Sequence, residues 1–364
     1  MSSNRPPIIE IMRDAIRDAK PKERQQNALR QQLRNDPARE LFYVKPADLW
    51  LKEEHSKPPA RKLLGSLWYE HELCILFADT NLGKSVLAVQ IGYHLGKQSC
   101  LEPFGSELNE TLKVLYLDFE LTPSQFRARY SDSRWGPHHF GENFIRAEFN
   151  PRGDDPDMYD KYEDYIKDRI EYILATTKAR VLIIDNITYM GNPLAYGGSA
   201  LQLMKTLKAL KIKHKLSMLV LAHTPKRNPC RPIDVNDMQG SKMLINFADS
   251  AFALGQSHAQ PGLRYLKQIK QRNSDAQYGA EHVALFRIVK TQSFLGFQFE
   301  GYDHEQLHLQ KAGAAISPEA RQRIPELARQ GLSIRQIADH LRIGSSTVQR
   351  VLAKLKEVEG KEGD

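Results

Sequence analysis

Four stretches of the chain are apolar almost without interruption: LCILFA (73–78), KVLYLDFE (113–120), RVLIIDN (180–186) and SMLVLAH (217–223). Such runs, bounded by polar turns, predict strands buried on both faces of a parallel sheet. SAFALG (250–255), RYLKQIK (264–270) and ALFRIVK (284–290) read as further strands. Helical patterns between the runs would cover the sheet, so residues 62–312 read as one α/β domain. Within it, GENFIRAEFNPRGDDPDMYD (141–160) and KRNPCRPIDVNDMQG (226–240) read as long polar loops, the second as a mobile functional segment. Residues 313–364 contain no strand-like run and read as short helices with a charged tail. Residues 1–61 read as a helical arm and linker. Ile8, Ile9, Met12 and Ile16 fall on one helical face, to pack on their own domain or reach a neighbouring subunit, and HSKPPARK (55–62) is the linker.

Composition narrows this picture only a little. The 364 residues carry a formal net charge of +8, which favours a polyanionic partner without proving one. Three cysteines without C-x-x-C spacing argue against a disulfide framework and against a zinc site. No apolar run approaches the ~20 residues of a membrane span. The first twenty residues lack the continuous apolar stretch of a secretory leader, so a cytoplasmic protein is expected.

Candidate chemistry sits where the apolar runs end. After the first comes Ala78-Asp79-Thr80-Asn81-Leu82-Gly83-Lys84-Ser85, followed by Val86 and a helical pattern. This fits the phosphate-loop pattern G-x-x-x-x-G-K-[ST] except that alanine replaces the first glycine. Backbone amides of such a loop and of the helix behind it cradle phosphates. Lys84 would reach the β- and γ-phosphates of ATP, and Ser85 would hold Mg²⁺. If the backbone at Ala78 were left-handed, alanine would cost about 1 kcal/mol. Asp185, at the end of RVLIIDN, is the expected second metal group. Glu120 is the candidate that orients the attacking water, with Asp118 as the competing carboxylate. His223 would sense the γ-phosphate, placed as it is at a strand end.

In the C-terminal segment, GLSIRQIADHLRIGSSTVQRVLAKL has the rhythm of two helices joined by a turn at Arg342-Ile343-Gly344. Ser333 is expected to cap the first, with Ile334, Ile337, Ala338 and Leu341 inward. Ser345 is expected to cap the second, with Val348, Val351, Leu352 and Leu355 inward. That leaves Ser345, Ser346, Thr347, Gln349 and Arg350 to meet DNA, or the module to dock protein. The pattern resembles the helix-turn-helix of resolvases and invertases.

The order of phosphate loop, strand-end glutamate, strand-end aspartate and strand-end histidine resembles the RecA-like ATPases, nearest to hexameric helicases of the DnaB and RepA type. VLIIDNITYM, GSKMLINFADSAFAL and IKQRNS are similar to segments of that family. The resemblance implies a RecA-like phosphate-loop core with a mainly parallel sheet, ATP and Mg²⁺ as ligands, and a homo-oligomer, a hexamer in that family, with shared ATP sites. It also implies that Lys270 and Arg272 reach the γ-phosphate of an adjacent subunit. Thr188 stands where replicative helicases carry a glutamine, so ATP hydrolysis is a firmer expectation than processive unwinding. The function so implied is an ATP-hydrolysing DNA-binding motor, a helicase of a plasmid, phage or mobile element. The alternative is an ATP-switched regulator or loader that assembles on DNA without unwinding it.

Overall fold

The structure is a computed structural model. It describes residues 45–150, 162–190, 198–225, 227–238, 242–310, 318–341 and 343–359. The expected apolar face at Ile8–Ile16 and the turn residue Arg342 lie outside these residues, as does the side chain of Leu355. The chain divides into two units, Met1–Pro59 and Ala60–Asp364. In the first, the described element is helix α1 (Ala47–His55), which buries none of its residues.

The second unit is built on a nine-stranded sheet. Its strands are β1 (Leu73–Ala78), β2 (Val114–Asp118), β3 (Phe144–Glu148), β4 (Val181–Asp185), β5 (Ser217–His223), β6 (Ser250–Gln256), β7 (Leu263–Lys270), β8 (Val283–Thr291) and β9 (Phe294–Asp303). They lie in the order β9-β8-β7-β6-β1-β5-β4-β2-β3. From β6 to β3 neighbours run parallel, and β7, β8 and β9 extend the sheet antiparallel.

Side chains of a strand alternate between faces, and here both faces are apolar. Cys74, Leu76, Ala78, Val114, Tyr116, Val181 and Ile183 join one core with helix α2 (Lys84–Lys97), and Phe126 of helix α3 (Pro123–Arg129) packs against it. Leu73, Ile75, Phe77, Leu115, Leu117, Leu182 and Ile184 join the other. There they pack with helices α4 (Tyr162–Thr177) and α5 (Gly198–His214). Each fully buried aliphatic side chain contributes about 1.5–3 kcal/mol, so central strands need near-continuous apolar sequence. The same alternation fixes the chemistry. Asp185 shares the parity of Val181 and Ile183, so its carboxylate points to the α2 side. Asp118 follows Tyr116 onto that side as well.

Two segments differ from the sequence reading. FIRAE, inside the expected loop 141–160, is the edge strand β3, paired with β2 from Val114↔Phe144 to Asp118↔Glu148. It is only half-buried, so its sequence carries charges that mask the strand pattern. The expected mobile segment 226–240 is pinned in its described part. Asp234 caps a turn at Val235–Asp237, Arg231 pairs with Asp234, and the buried Glu305 carboxylate accepts the Ile233 amide.

Helices α7 (Pro318–Arg329), α8 (Ile334–Leu341) and α9 (Ser345–Glu359) close the described chain. They have a core of their own: Ile324, Leu327, Ile337, Ala338, Val348 and Val351. Among the described residues, no helix is long and apolar enough to cross a membrane.

Candidate functional site

Ala78 is the last residue of β1 and fully buried, and its backbone is not left-handed. The left-handed positions of the loop are Asn81 (φ 64°) and Gly83 (φ 96°). Asparagine is among the side chains that accept that region most readily, and glycine accepts it freely. Alanine at the first position therefore costs no backbone strain. Gly83 is the more demanding position, because any other side chain is strained at its φ and a Cβ there would also push against the end of Ile288. Leu82 is held by its carbonyl, which accepts the Arg264 guanidinium at 2.9 Å. Asp79 accepts the Thr224 hydroxyl and pairs with Arg227 at 3.5 Å. Lys84 opens α2 and turns back across the loop. Its ammonium donates to the carbonyls of Ala78 (2.9 Å) and Asp79 (3.2 Å) and lies 3.1 Å from His223 Nδ1. Burial draws its pKa below the usual lysine value, against the pull of Glu120 and Asp185.

Strand order explains how the catalytic candidates meet. β5 lies between β1 and β4, and Ala78 pairs with His223 across β1 and β5. The histidine is thereby set between Lys84 and Glu120. His223 Nε2 lies 3.3 Å from Glu120 Oε1, and the Asn186 amide donates to the same oxygen at 2.6 Å. An ammonium can only donate, so His223 Nδ1 accepts from Lys84 and Nε2–H donates to Glu120. That hydrogen bond, together with the one from Asn186, holds the Glu120 carboxyl below its ordinary value despite partial burial.

Asp185 is 1% exposed. Its carboxylate accepts a hydrogen bond from the Tyr116 hydroxyl at 2.5 Å, and the neighbouring Ser85 hydroxyl favours its ionised form. Burial nevertheless pushes its carboxyl up to about 6. Asp118 is engaged elsewhere. It pairs with Arg146 of β3 at 2.8 Å and accepts the amides of Glu120 (3.1 Å) and Leu121 (2.8 Å). It thus shapes the turn that carries Glu120, while its oxygens are taken. Sequence reasoning missed Tyr116, Arg146 and Asn186. Tyr116 and Asp185 share a sheet face, a signal that strand parity alone could have supplied. Arg146 sits on the strand read as a loop.

Lys270 and Arg272 are not brought to this site. β7 runs antiparallel to β6, so Lys270 faces Ala251 at the start of β6, whereas Ala78 faces Leu254 near its end. The basic pair and the phosphate loop occupy opposite edges of one sheet.

In the three-helix module, Ser333 caps α8 in a reciprocal arrangement with Gln336. Two expectations there are corrected. Ile334 is 38% exposed, because the face of α8 turned to α7 and α9 is set by Ile337 and Ala338. The carbonyl of Gly344 takes the first helical amide, that of Val348, so Gly344 and not Ser345 is the cap of α9. Ser345, Ser346, Gln349 and Arg350 are exposed, and Thr347 is half-buried.

A phosphate loop between a buried strand and its helix, with a buried strand-end aspartate beside the loop serine, defines a P-loop ATPase. The chain belongs to the AAA domain family, whose pattern matches residues 38–229, more than half of its length. A homeodomain-like domain pattern matches residues 316–363, which supports a DNA-binding helix-turn-helix. Among solved structures, the chain is similar to a KaiC-like protein from the hyperthermophilic archaeon Pyrococcus horikoshii OT3. The identity is 12%, over 66% of this chain and all of that one, with a TM-score of 0.45. No curated protein matches the chain.

The residues fit ATP and Mg²⁺. Gly83 carries the left-handed turn into the N-terminus of α2, where backbone amides can face a phosphate, and the Ser85 and Asp185 side chains offer the hard oxygen donors that Mg²⁺ takes.

Proposed function

We propose that the protein is an oligomeric, ATP-hydrolysing DNA-binding motor, with residues 62–312 as the motor, 313–364 as the DNA-binding module and 1–61 as an arm. The observation that carries oligomeric sharing is the placement of Lys270 and Arg272 on the sheet edge opposite the phosphate loop. A cation there cannot serve its own chain's phosphates, yet it can serve those of the next copy in a head-to-tail ring or filament. A helicase of the DnaB or RepA type, acting for a plasmid, phage or other mobile element, is the form of this reading that the sequence resemblance favours.

In this reading Ser85 and Asp185 would hold Mg²⁺, which when bound would neutralise charge developing on the phosphates. Lys84 leaves the Ala78 and Asp79 carbonyls for the β- and γ-phosphates. Glu120, held by Asn186 and His223, takes a proton from the attacking water at its carboxylate. His223 touches both Lys84 and Glu120, so movement of the lysine changes how the glutamate is held. Loss of the γ-phosphate can be reported along this path.

The test mixes Arg272→Ala with Lys84→Ala subunits. Shared sites predict activity above that of either variant alone, because some interfaces then join an intact loop to an intact cation. Mixtures that exchange subunits yet never exceed the variants measured apart would remove the shared-site reading. Strand displacement on a forked duplex separates a motor from a loader that assembles without unwinding.

A further inference from the structure

Lys270 and Arg272 hang beside the turn that joins helix α6 (Lys242–Phe247) to β6. The Lys270 ammonium donates to the carbonyls of Ile245 (2.6 Å) and Ala248 (2.7 Å). Arg272 donates to the Asn246 carbonyl at 3.1 Å and meets Asp249 Oδ1 at 3.5 Å. The other oxygen of Asp249 accepts the Leu73 amide at 2.9 Å and the Lys211 ammonium at 2.6 Å. The Lys208 ammonium lies 5.1 Å from the centre of the Phe247 ring, and its charge also acts on Asp249. Four cations therefore gather around one carboxylate.

The contacts of Asp249 are unequal. Leu73 and Lys211 bind it at short range and fix its orientation. Arg272 binds it at the long limit of a hydrogen bond, with half of its side chain exposed. Such a contact aims a guanidinium without trapping it. The phosphate loop, which would carry the negative triphosphate, lies at the opposite edge. The cationic edge can meet a triphosphate carried at the opposite edge only between copies stacked head to tail.

We propose that Asp249 is a positioning residue, holding Arg272 in the orientation from which it meets the triphosphate bound to a second copy of this chain. The proposal rests on the shared-site reading above. Asp249→Asn keeps an acceptor for Leu73 and Lys211 but loses the charge that aims Arg272.

The experiment uses the full chain as wild type, Asp249→Asn, Arg272→Ala and the double variant. It measures steady-state ATP hydrolysis and binding of a fluorescent ATP analogue. Asp249→Asn is expected to lower kcat about tenfold or more, the size of effect that a misaligned catalytic group produces. The analogue should bind within about twofold of wild type, because the phosphate loop is at the far end of β1. The double variant should be no slower than Arg272→Ala. Asp249→Glu retains the charge and should lose less than Asp249→Asn; it carries the same measurements if Asp249→Asn does not fold. If Arg272→Ala turns over like the wild type, the shared-site reading falls and takes the proposal with it. If Arg272→Ala is slow while Asp249→Asn keeps wild-type kcat, the proposal alone is overturned. Losses that multiply in the double variant overturn it equally, since Asp249 then acts independently of Arg272.

Discussion

The phosphate edge of the sheet and the exposed face of α9 hold their polar residues in opposite ways. At the phosphate edge, Lys84, His223, Glu120 and Asn186 are linked in one chain of hydrogen bonds, and Asp185 is bonded to Tyr116. On α9, Ser345, Ser346, Gln349 and Arg350 stand in solvent above a small separate core. Hydrolysis needs charges fixed before the reaction, because reorganising them during it would raise the barrier. DNA contact needs reach, because the ligand supplies the geometry. Changes at the first region should therefore alter turnover or stability, and changes at the second should alter affinity alone.

The largest effect should come from Glu120→Gln, which keeps a hydrogen-bond acceptor but removes the base. Hydrolysis is expected to fall about a hundredfold to a thousandfold with ATP binding retained. Asp118→Asn should instead lower the thermal midpoint, by weakening a buried pair with Arg146 whose loss costs about 3 kcal/mol. If Asp118→Asn abolished turnover in a stable protein, the division between these two carboxylates would be wrong.

Asp185→Asn should separate stability from activity. Burial pushes this carboxyl up from 3.8 to about 6, so its ionised form is penalised in the folded state. Above pH 6 the penalty is fully present, about 2–3 kcal/mol, and it vanishes as pH falls below 3.8. The variant should therefore lose hydrolysis yet unfold at higher temperature than the wild type at pH 7, with the difference shrinking towards pH 4. Equal midpoints across that range would contradict the burial argument.

Gly83→Ala introduces a Cβ 2.4 Å from Ile288 and a side chain at φ 96°. Strain of about 2 kcal/mol should weaken ATP binding about thirtyfold in calorimetry. Ala78→Gly is the matched control and should leave ATP binding unchanged, because the backbone at Ala78 is ordinary strand. The smallest effect concerns α9. Arg350→Ala should weaken duplex binding and flatten its salt dependence by about one unit of slope in fluorescence anisotropy, with ATP turnover unchanged. Turnover that fell with it would undo the contrast between the two regions.

How much of this was legible follows from burial. β1, β2, β4 and β5 announce themselves because both of their faces are apolar, and their polar last residues stand out against that background. β3 did not, because an edge strand spends alternate residues on solvent. With it went Arg146, and so the reason why Asp118 is occupied and Glu120 is presented. The alanine at position 78 was ambiguous in sequence, since its meaning depends on a backbone angle. Strand parity could have paired Tyr116 with Asp185, but no motif flags a tyrosine two residues before an aspartate. In the C-terminal module the helices were legible from their apolar spacing. The cap was misplaced by one residue because glycine and serine both suit that position.

The account stands most directly on turnover of ATP by the purified full chain with Mg²⁺, compared with Lys84→Ala. It predicts that the wild type hydrolyses ATP despite Ala78, and that the variant, folded to the same extent by circular dichroism, is at least about a hundredfold slower. A wild type without activity, or a folded Lys84→Ala that matches it, would contradict the assignment of this loop as a working ATPase site.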